Sequence, residues 1–106
     1  KLAYREFGFR KGGWSSQDKY PRQVADVNGD NRADIVGFAN DGVYVSLGKT
    51  DGTFASHKLA YSQTFTFGKG GWSSQNKYPR QVADVNGDSR ADIVGFANNG
   101  VYTANG

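Results

Sequence analysis

The chain says nearly the same thing twice. Residues 11 to 44 read KGGWSSQDKYPRQVADVNGDNRADIVGFANDGVY, and residues 69 to 102 read KGGWSSQNKYPRQVADVNGDSRADIVGFANNGVY. The offset is 58, and the copies differ only at Asp18/Asn76, Asn31/Ser89 and Asp41/Asn99. A shorter echo, KLAY, begins at Lys1 and again at Lys58, so the copies differ by one inserted residue ahead of the pairs Phe7/Phe9 and Phe65/Phe67. A fixed period of this length marks a repeat architecture, in which one unit cannot bury its apolar face alone and must stack on a neighbour.

Each repeat spells out strands rather than helices. Residues 23–27 (QVADV) are short, β-branched and alternating, and the turn signal NGD follows. Residues 33–39 (ADIVGFA) form a second strand candidate, Asn40-Asp41-Gly42 a hairpin turn whose residues tolerate positive φ, and residues 43–47 (VYVSL) a third strand. KTDGT at 49–53 is a turn, and residues 56–67 hold a longer, bent fourth strand. Four short antiparallel strands per repeat are the sequence cue for a β-propeller blade, and propellers have typically 4–8 blades. The expected fold is therefore all-β: residues 1–9 a closing outer strand, 10–67 a first blade, and 68–106 a second blade with three strands. Two blades cannot close a ring, so the expectation is a homo-oligomer completed by strand exchange. Three chains would supply six blades, the favoured number.

Composition narrows the chemistry. There is no Cys, which removes disulfides, thiol nucleophiles and Cys-ligated zinc, and His57 is the single His. No apolar run approaches a membrane span. With no starting Met and no basic-then-apolar leader, the sequence reads as a mature or trimmed chain of a soluble protein. The net charge of +3 comes from scattered Lys and Arg, whereas a nucleic-acid binder gathers them on one stripe. Nine of the ten acids are Asp, concentrated in two short loops, which argues for loop chemistry instead.

The ordered run GGW, ADVNGD, ADIVGF, GVY, at constant spacing and present twice, resembles the repeat of the Psathyrella velutina lectin family. These are fungal and bacterial β-propeller lectins, distantly similar to the FG-GAP repeats of integrin α chains. The resemblance implies binding of terminal N-acetylglucosamine, or related N-acetylated sugars such as sialic acid, in pockets between adjacent blades. One departure stands out: members commonly carry His where this sequence has Tyr20 and Tyr78.

Strand direction tells which residues share a rim. The GGWSSQDKYPR segment enters the first strand, and the Asn40-Asp41-Gly42 turn joins strands two and three, so both lie at one end of an antiparallel blade. Trp14, Tyr20, Arg22, Asn40 and Asp41 then gather on one rim, and Trp72, Tyr78, Arg80, Asn98 and Asn99 on the next. An aromatic face suits the CH side of a pyranose, and Asp, Asn and Arg supply directional hydrogen bonds. Ser15, Ser16 and the Gly12-Gly13 backbone are further lining. Each of these residues also has a structural reading: Trp as a wedge between blades, Arg as an internal ion pair, Gly-Gly as a tight turn.

A second constellation, D-V-N-G-D-x-R-A-D, supplies Asp26, Asn28, Asp30 and Asp34, then Asp84, Asn86, Asp88 and Asp92. Oxygens at positions 1, 3, 5 and 9, with the carbonyl of Arg32 or Arg90 at position 7, suit Ca²⁺. The spacing resembles integrin calcium loops and departs from the EF-hand in lacking Gly at position 6 and Glu at position 12. An Asx-rich turn whose carboxylates accept backbone N–H groups is the other reading. No cofactor is required under either, and any calcium would sit opposite the sugar rim.

Competing functions are an enzyme, a calcium-dependent protein-interaction propeller, a nucleic-acid binder and an engineered propeller scaffold without sugar binding. The carboxylates lie in turn motifs and His57 has no second copy, so the reading is of a lectin rather than an enzyme. The near identity of the repeats fits either a recent duplication or an idealised design.

Overall fold

The computed structural model describes residues 2–8 and 12–106. Its strands, in chain order, are β1 (Arg22–Ala25), β2 (Asp34–Phe38), β3 (Val43–Ser46), β4 (Lys58–Tyr61), β5 (Arg80–Ala83), β6 (Asp92–Ala97) and β7 (Gly100–Ala104). β1 to β4 form a sequentially ordered four-stranded sheet, and β5 to β7 a three-stranded sheet of the same order. All pairs are antiparallel, and the registers repeat: Arg22 faces Gly37 as Arg80 faces Gly95, and Ala25 faces Asp34 as Ala83 faces Asp92.

The core lies between the sheets. Alternation along β2 and β3 puts Val36, Phe38, Val43 and Val45 on one face. They bury against Trp72 of the second repeat and Phe65 of the segment that leads into it. The sheets are also joined by hydrogen bonds. Gln23 brackets β5, its Nε2 donating to the Arg80 carbonyl (2.5 Å) and its Oε1 accepting from Val82 N (3.0 Å). Asp18 Oδ1 accepts from Asn76 N at 2.8 Å.

Two strand expectations change. The fourth strand is four residues long, not a bent run through Phe67, because Phe65 takes φ 74° and turns the chain away from the sheet. The closing strand expected over residues 1–9 is not a strand over residues 2–8; Lys1 and Phe9 lie outside the described residues. Phe7 takes φ 66°, left-handed like its mate Phe65, and among the described residues no sheet edge is paired with Leu2–Tyr4.

The Asn40-Asp41-Gly42 turn forms, with Ala39 N donating to the Gly42 carbonyl at 2.9 Å. Its glycine is there for another reason than expected, since none of the three residues takes a positive φ. A Cβ on Gly42 would stand 2.5 Å from Leu59 Cδ1 on β4. Its mate Gly100 faces open space, because among the described residues no fourth strand covers β7. Among the described residues no helix is long and apolar enough to cross a membrane.

Candidate functional site: two repeated rim clefts

Each cleft starts from a Gly-Gly pair with positive φ, 100° and 74° at Gly12 and Gly13, 94° and 74° at Gly70 and Gly71. Only glycine takes such a succession without strain. The turn sends the next residue, Trp14 or Trp72, inward over a strand glycine. A Cβ on Gly37 would lie 2.6 Å from Trp14 Cη2, and one on Gly95 would lie 2.7 Å from Trp72 Cη2. The indole packs between a tilted Phe and a Tyr that meets it edge-on: Phe7, Trp14 and Tyr20 at centroid distances of 5.1 and 6.2 Å, and Phe65, Trp72 and Tyr78 at 5.3 and 6.1 Å.

A bulky residue in the left-handed region is strained and persists only where its surroundings over-determine it. Phe7 and Phe65 are buried, and an arginine holds each carbonyl. Arg22 Nη1 donates to the Phe7 carbonyl (2.9 Å) and Arg80 Nη1 to that of Phe65 (3.1 Å). Gln17 and Gln75 complete the clamp, each accepting from the Arg backbone N and Nε and donating to the Arg carbonyl. Arg22 and Arg80 were expected on the rim; they point inward and line neither cleft. Arg80 is fully buried, 5.6 Å from the Phe38 ring centroid. Burial pushes its pKa down to about 10, against the opposing charge of Asp18, so it stays protonated at neutral pH.

What remains on the rim is a matched pair of clefts. The first, of about 250 Å³, is lined by Gly12, Gly13, Trp14, Tyr20, Ala39, Asn40 and Asp41. The second, of about 350 Å³, is lined by Gly70, Gly71, Trp72, Tyr78, Ala97, Asn98 and Asn99. Every residue of one has its mate at offset 58 in the other. Trp14 and Trp72 are 8% and 5% exposed, so they show only an edge, and the half-buried Tyr20 and Tyr78 are the aromatic surfaces on offer. The Tyr44 hydroxyl donates to the Asp41 carboxylate (3.1 Å), and the Tyr102 hydroxyl to Asn99 Oδ1 (3.0 Å). Burial, then the hydrogen bond and charge of Asp41, raise the Tyr44 pKa. The first cleft carries a carboxylate where the second carries an amide.

The acidic loops lie at the other end of β2 and β6. Asp26 Oδ1 accepts from Gly29 N (2.8 Å) and Oδ2 from Asn31 N (2.8 Å); Asp84 does the same with Gly87 and Ser89. Asp34 joins the loop to the sheet, accepting from Val27 N and Gly48 N. Asp30 pairs with Arg32 and Asp88 with Arg90. Asn28 and Asn86 accept from Asp30 N and Asp88 N. Asp26, Asp30 and Asp34 each offer an oxygen within 4.8 Å of the others, as do Asp84, Asp88 and Asp92. Desolvation acts to raise the Asp26 and Asp84 carboxyls, but the four backbone amides around each together outweigh it and hold both below the ordinary carboxylate value. A depressed carboxyl stabilises the fold above its unfolded value and loses that contribution as pH falls through its folded value. Thermal stability is therefore expected to drop as pH falls below about 3.8. Asp26→Asn with Asp84→Asn should flatten that acid limb while lowering stability at neutral pH; an unchanged limb in the melting curves would refute the assignment.

The FG-GAP-like repeat family matches residues 26–95, which takes in both acidic loops and β2 to β5. The chain belongs to the FG-GAP-like repeat family. This FG-GAP-like chain is also similar to the structure of an Agrocybe aegerita lectin described by its specific recognition of non-reducing terminal N-acetylglucosamine. The identity is 40% and the TM-score 0.91, over 98% of this chain and 25% of that one. The chain thus spans about a quarter of that lectin's length. No curated protein sequence matches it significantly.

Sequence reasoning missed several elements that build the clefts. The Gln17 and Gln75 clamps, the left-handed Phe7 and Phe65, and the hydroxyls of Tyr44 and Tyr102 all shape the clefts. Their common signal was present, since each pair recurs at offset 58, but recurrence does not tell a wall from its support.

Proposed function

We propose that this chain is a carbohydrate-binding lectin of the Psathyrella velutina type, taking terminal N-acetylglucosamine or a related N-acetylated sugar in its rim clefts. The observation that carries the reading is the recurrence of all seven cleft residues, position by position, with a single change from Asp41 to Asn99. The similarity to the Agrocybe aegerita lectin supports it. At about 250 and 350 Å³ the clefts are of monosaccharide scale, at the small end of ligand pockets. The Tyr20 or Tyr78 ring takes the CH face of the pyranose. Asn40 and Asp41, or Asn98 and Asn99, bond its hydroxyls and acetamide, and the Trp edge adds an apolar wall. Arg22 and Arg80 serve as positioning residues, holding the Phe turn behind each indole. The chemistry is binding without turnover.

Such sites are individually weak and gain from multiplicity. The reading therefore places the clefts on a homo-oligomeric ring, three chains supplying six blades, where avidity can add 10²–10⁴.

Calcium belongs to this proposal as a support of the fold. The converging carboxylates keep lone pairs beyond their amide bonds, and hard oxygen donors suit Ca²⁺. Asp26, Asp30 and Asp34 would hold it in the first repeat, with Asp84, Asp88 and Asp92 in the second. Because these loops lie at the far end of β2 and β6 from the clefts, calcium should raise Tm and leave sugar affinity unchanged.

A glycan array probed with and without calcium tests both parts. Signal confined to glycans ending in N-acetylated sugars, equal in calcium and in EDTA, is the expected result. A blank array from folded protein would remove the lectin reading. Sugar binding lost in EDTA at unchanged Tm would overturn the structural role of the acidic loops.

A further inference from the structure

We infer that a second copy of this chain docks on the open face of the β5–β7 sheet by repeating, residue for residue, the contacts that the β1–β4 sheet makes with it inside one chain. The inference rests on the ring reading above and gives that ring its contact surface. Because the repeats are nearly identical, a second copy presents to β5–β7 almost the surface that β5–β7 presents to β1–β4.

The unequal burial of equivalent residues marks the two open faces. Phe38 and Val43 are 0% and 1% exposed, whereas their mates Phe96 and Val101 are 41% and 58% exposed. On the opposite side Val82 packs against the core, whereas its mate Val24 is 65% exposed. Arg80 is buried beside the Phe38 ring, and its mate Arg22 is only half-buried. Docking brings Arg22 of one copy beside Phe96 of the other and covers both apolar sets together.

Polar groups and backbone fit the same arrangement. Gln23 brackets the Arg80 carbonyl and Val82 N. The exposed Gln81 is placed to bracket the Arg22 carbonyl and Val24 N of a second copy. Gly100 keeps open, beside β7, the space that Gly42 leaves for Leu59. The first KLAY, of a second copy, supplies the occupant: β4 pairs Leu59 with Tyr44 and Tyr61 with Val43, so Leu2 would oppose Tyr102 and Tyr4 would oppose Val101. Tyr4 already stacks on Phe7 at 5.9 Å, as Tyr61 does on Phe65 at 5.7 Å. One pair is not conserved in charge. The charge of Asp18 acts on Arg80 inside the chain, whereas the neutral Asn76 would take its place toward Arg22 between copies. The junction between copies is thus the weaker of the two, and dilution should separate folded chains. The contact is head-to-tail, which closes into a ring when the rotation allows.

Sedimentation of Val24→Asp and Phe96→Asp proteins tests this. Both positions are exposed, each charge spoils one face only, and circular dichroism checks that the sheets persist. Wild type should run as a multiple of the chain mass, each variant alone as a single chain, and the two mixed as a two-chain species and nothing larger. Wild type at single-chain mass, a variant that keeps the wild-type mass, or a mixture that stays single-chain would overturn the inference. Leu2→Cys with Tyr102→Cys, in a chain that has no other Cys, gives an independent readout. Oxidation should link copies on a non-reducing gel, and linkage no greater than for Leu2→Cys with an exposed Ser15→Cys would refute the register. Titration of the single-chain variants with N-acetylglucosamine separates the two readings: unchanged affinity per site upholds the clefts whatever the mass proves to be.

Discussion

Phe38→Ala is expected to cost about 3–5 kcal/mol of stability, the range for removing a buried aromatic from a packed core. Phe38 is fully buried at the centre of the cluster between the two sheets, against side chains of both repeats. Its ring also lies beside the Arg80 guanidinium, whose Nη2 is buried with no hydrogen-bond partner among the described residues. Truncation leaves a cavity and strips a buried cation of its nearest polarisable neighbour. Total stability of a domain is about 5–15 kcal/mol, so the loss removes a large share of it and should move the urea midpoint sharply downward. Phe96→Ala is the internal control. It removes the same ring from the equivalent strand position, but from an exposed one, and should cost the isolated chain about 1 kcal/mol or less. Urea unfolding of the two variants, at a concentration where the protein is single-chain, decides the matter. Equal losses would mean that the sheets do not pack as described.

Tyr20→Ala with Tyr78→Ala is expected to weaken sugar binding roughly tenfold to a hundredfold at each cleft. A stacked aromatic side chain contributes about 1.5–3 kcal/mol through the apolar area it covers, and 1.4 kcal/mol is a factor of ten. The Trp edges cannot compensate, because both indoles are almost wholly committed to the Phe and the strand glycine behind them. Tyr→Phe at both positions keeps the ring and should lose far less. Calorimetric titration with N-acetylglucosamine gives the comparison, and an alanine double variant that binds as well as wild type would move the site elsewhere. The single variants carry more detail. The cleft of Tyr20 holds the Asp41 carboxylate and that of Tyr78 the neutral Asn99, so a charged ligand should tell the two apart while a neutral one should not.

Much of this was legible in the residues because the repeat supplied its own control. The strand centres, the hairpin turns and the sharing of one rim by Tyr20, Asn40 and Asp41 all follow from alternation and strand direction, which are local. What escaped was set by contacts distant in sequence. An Arg beside a loop looks the same whether it points into solvent or reaches the carbonyl of a Phe fifteen positions upstream. Arg22 and Arg80 do the latter because the left-handed Phe turn leaves that carbonyl facing them. The glycine of the Asn40-Asp41-Gly42 turn was legible as a turn residue but not for its cause, which is the passage of Leu59 on another strand. The length of β4 failed for a related reason: F-x-F reads as strand by composition, whereas Phe65, packed against the indole, sits in the left-handed region.

The tethering of the cleft walls bears on the energetics of recognition. The Tyr44 hydroxyl restrains Asp41, Trp72 Nε1 donates to Thr64 Oγ1 at 2.9 Å, and behind the walls Gln17 grips Arg22 at backbone and side chain. These rotors lose their freedom when the chain folds, before any ligand arrives. A sugar entering the cleft then surrenders chiefly its own motion, and little further ordering of the host opposes it. Such a site selects among shapes already present rather than closing around its guest. Its encounter rate should be set by diffusion and orientation, and discrimination between sugars should appear in how long each one stays.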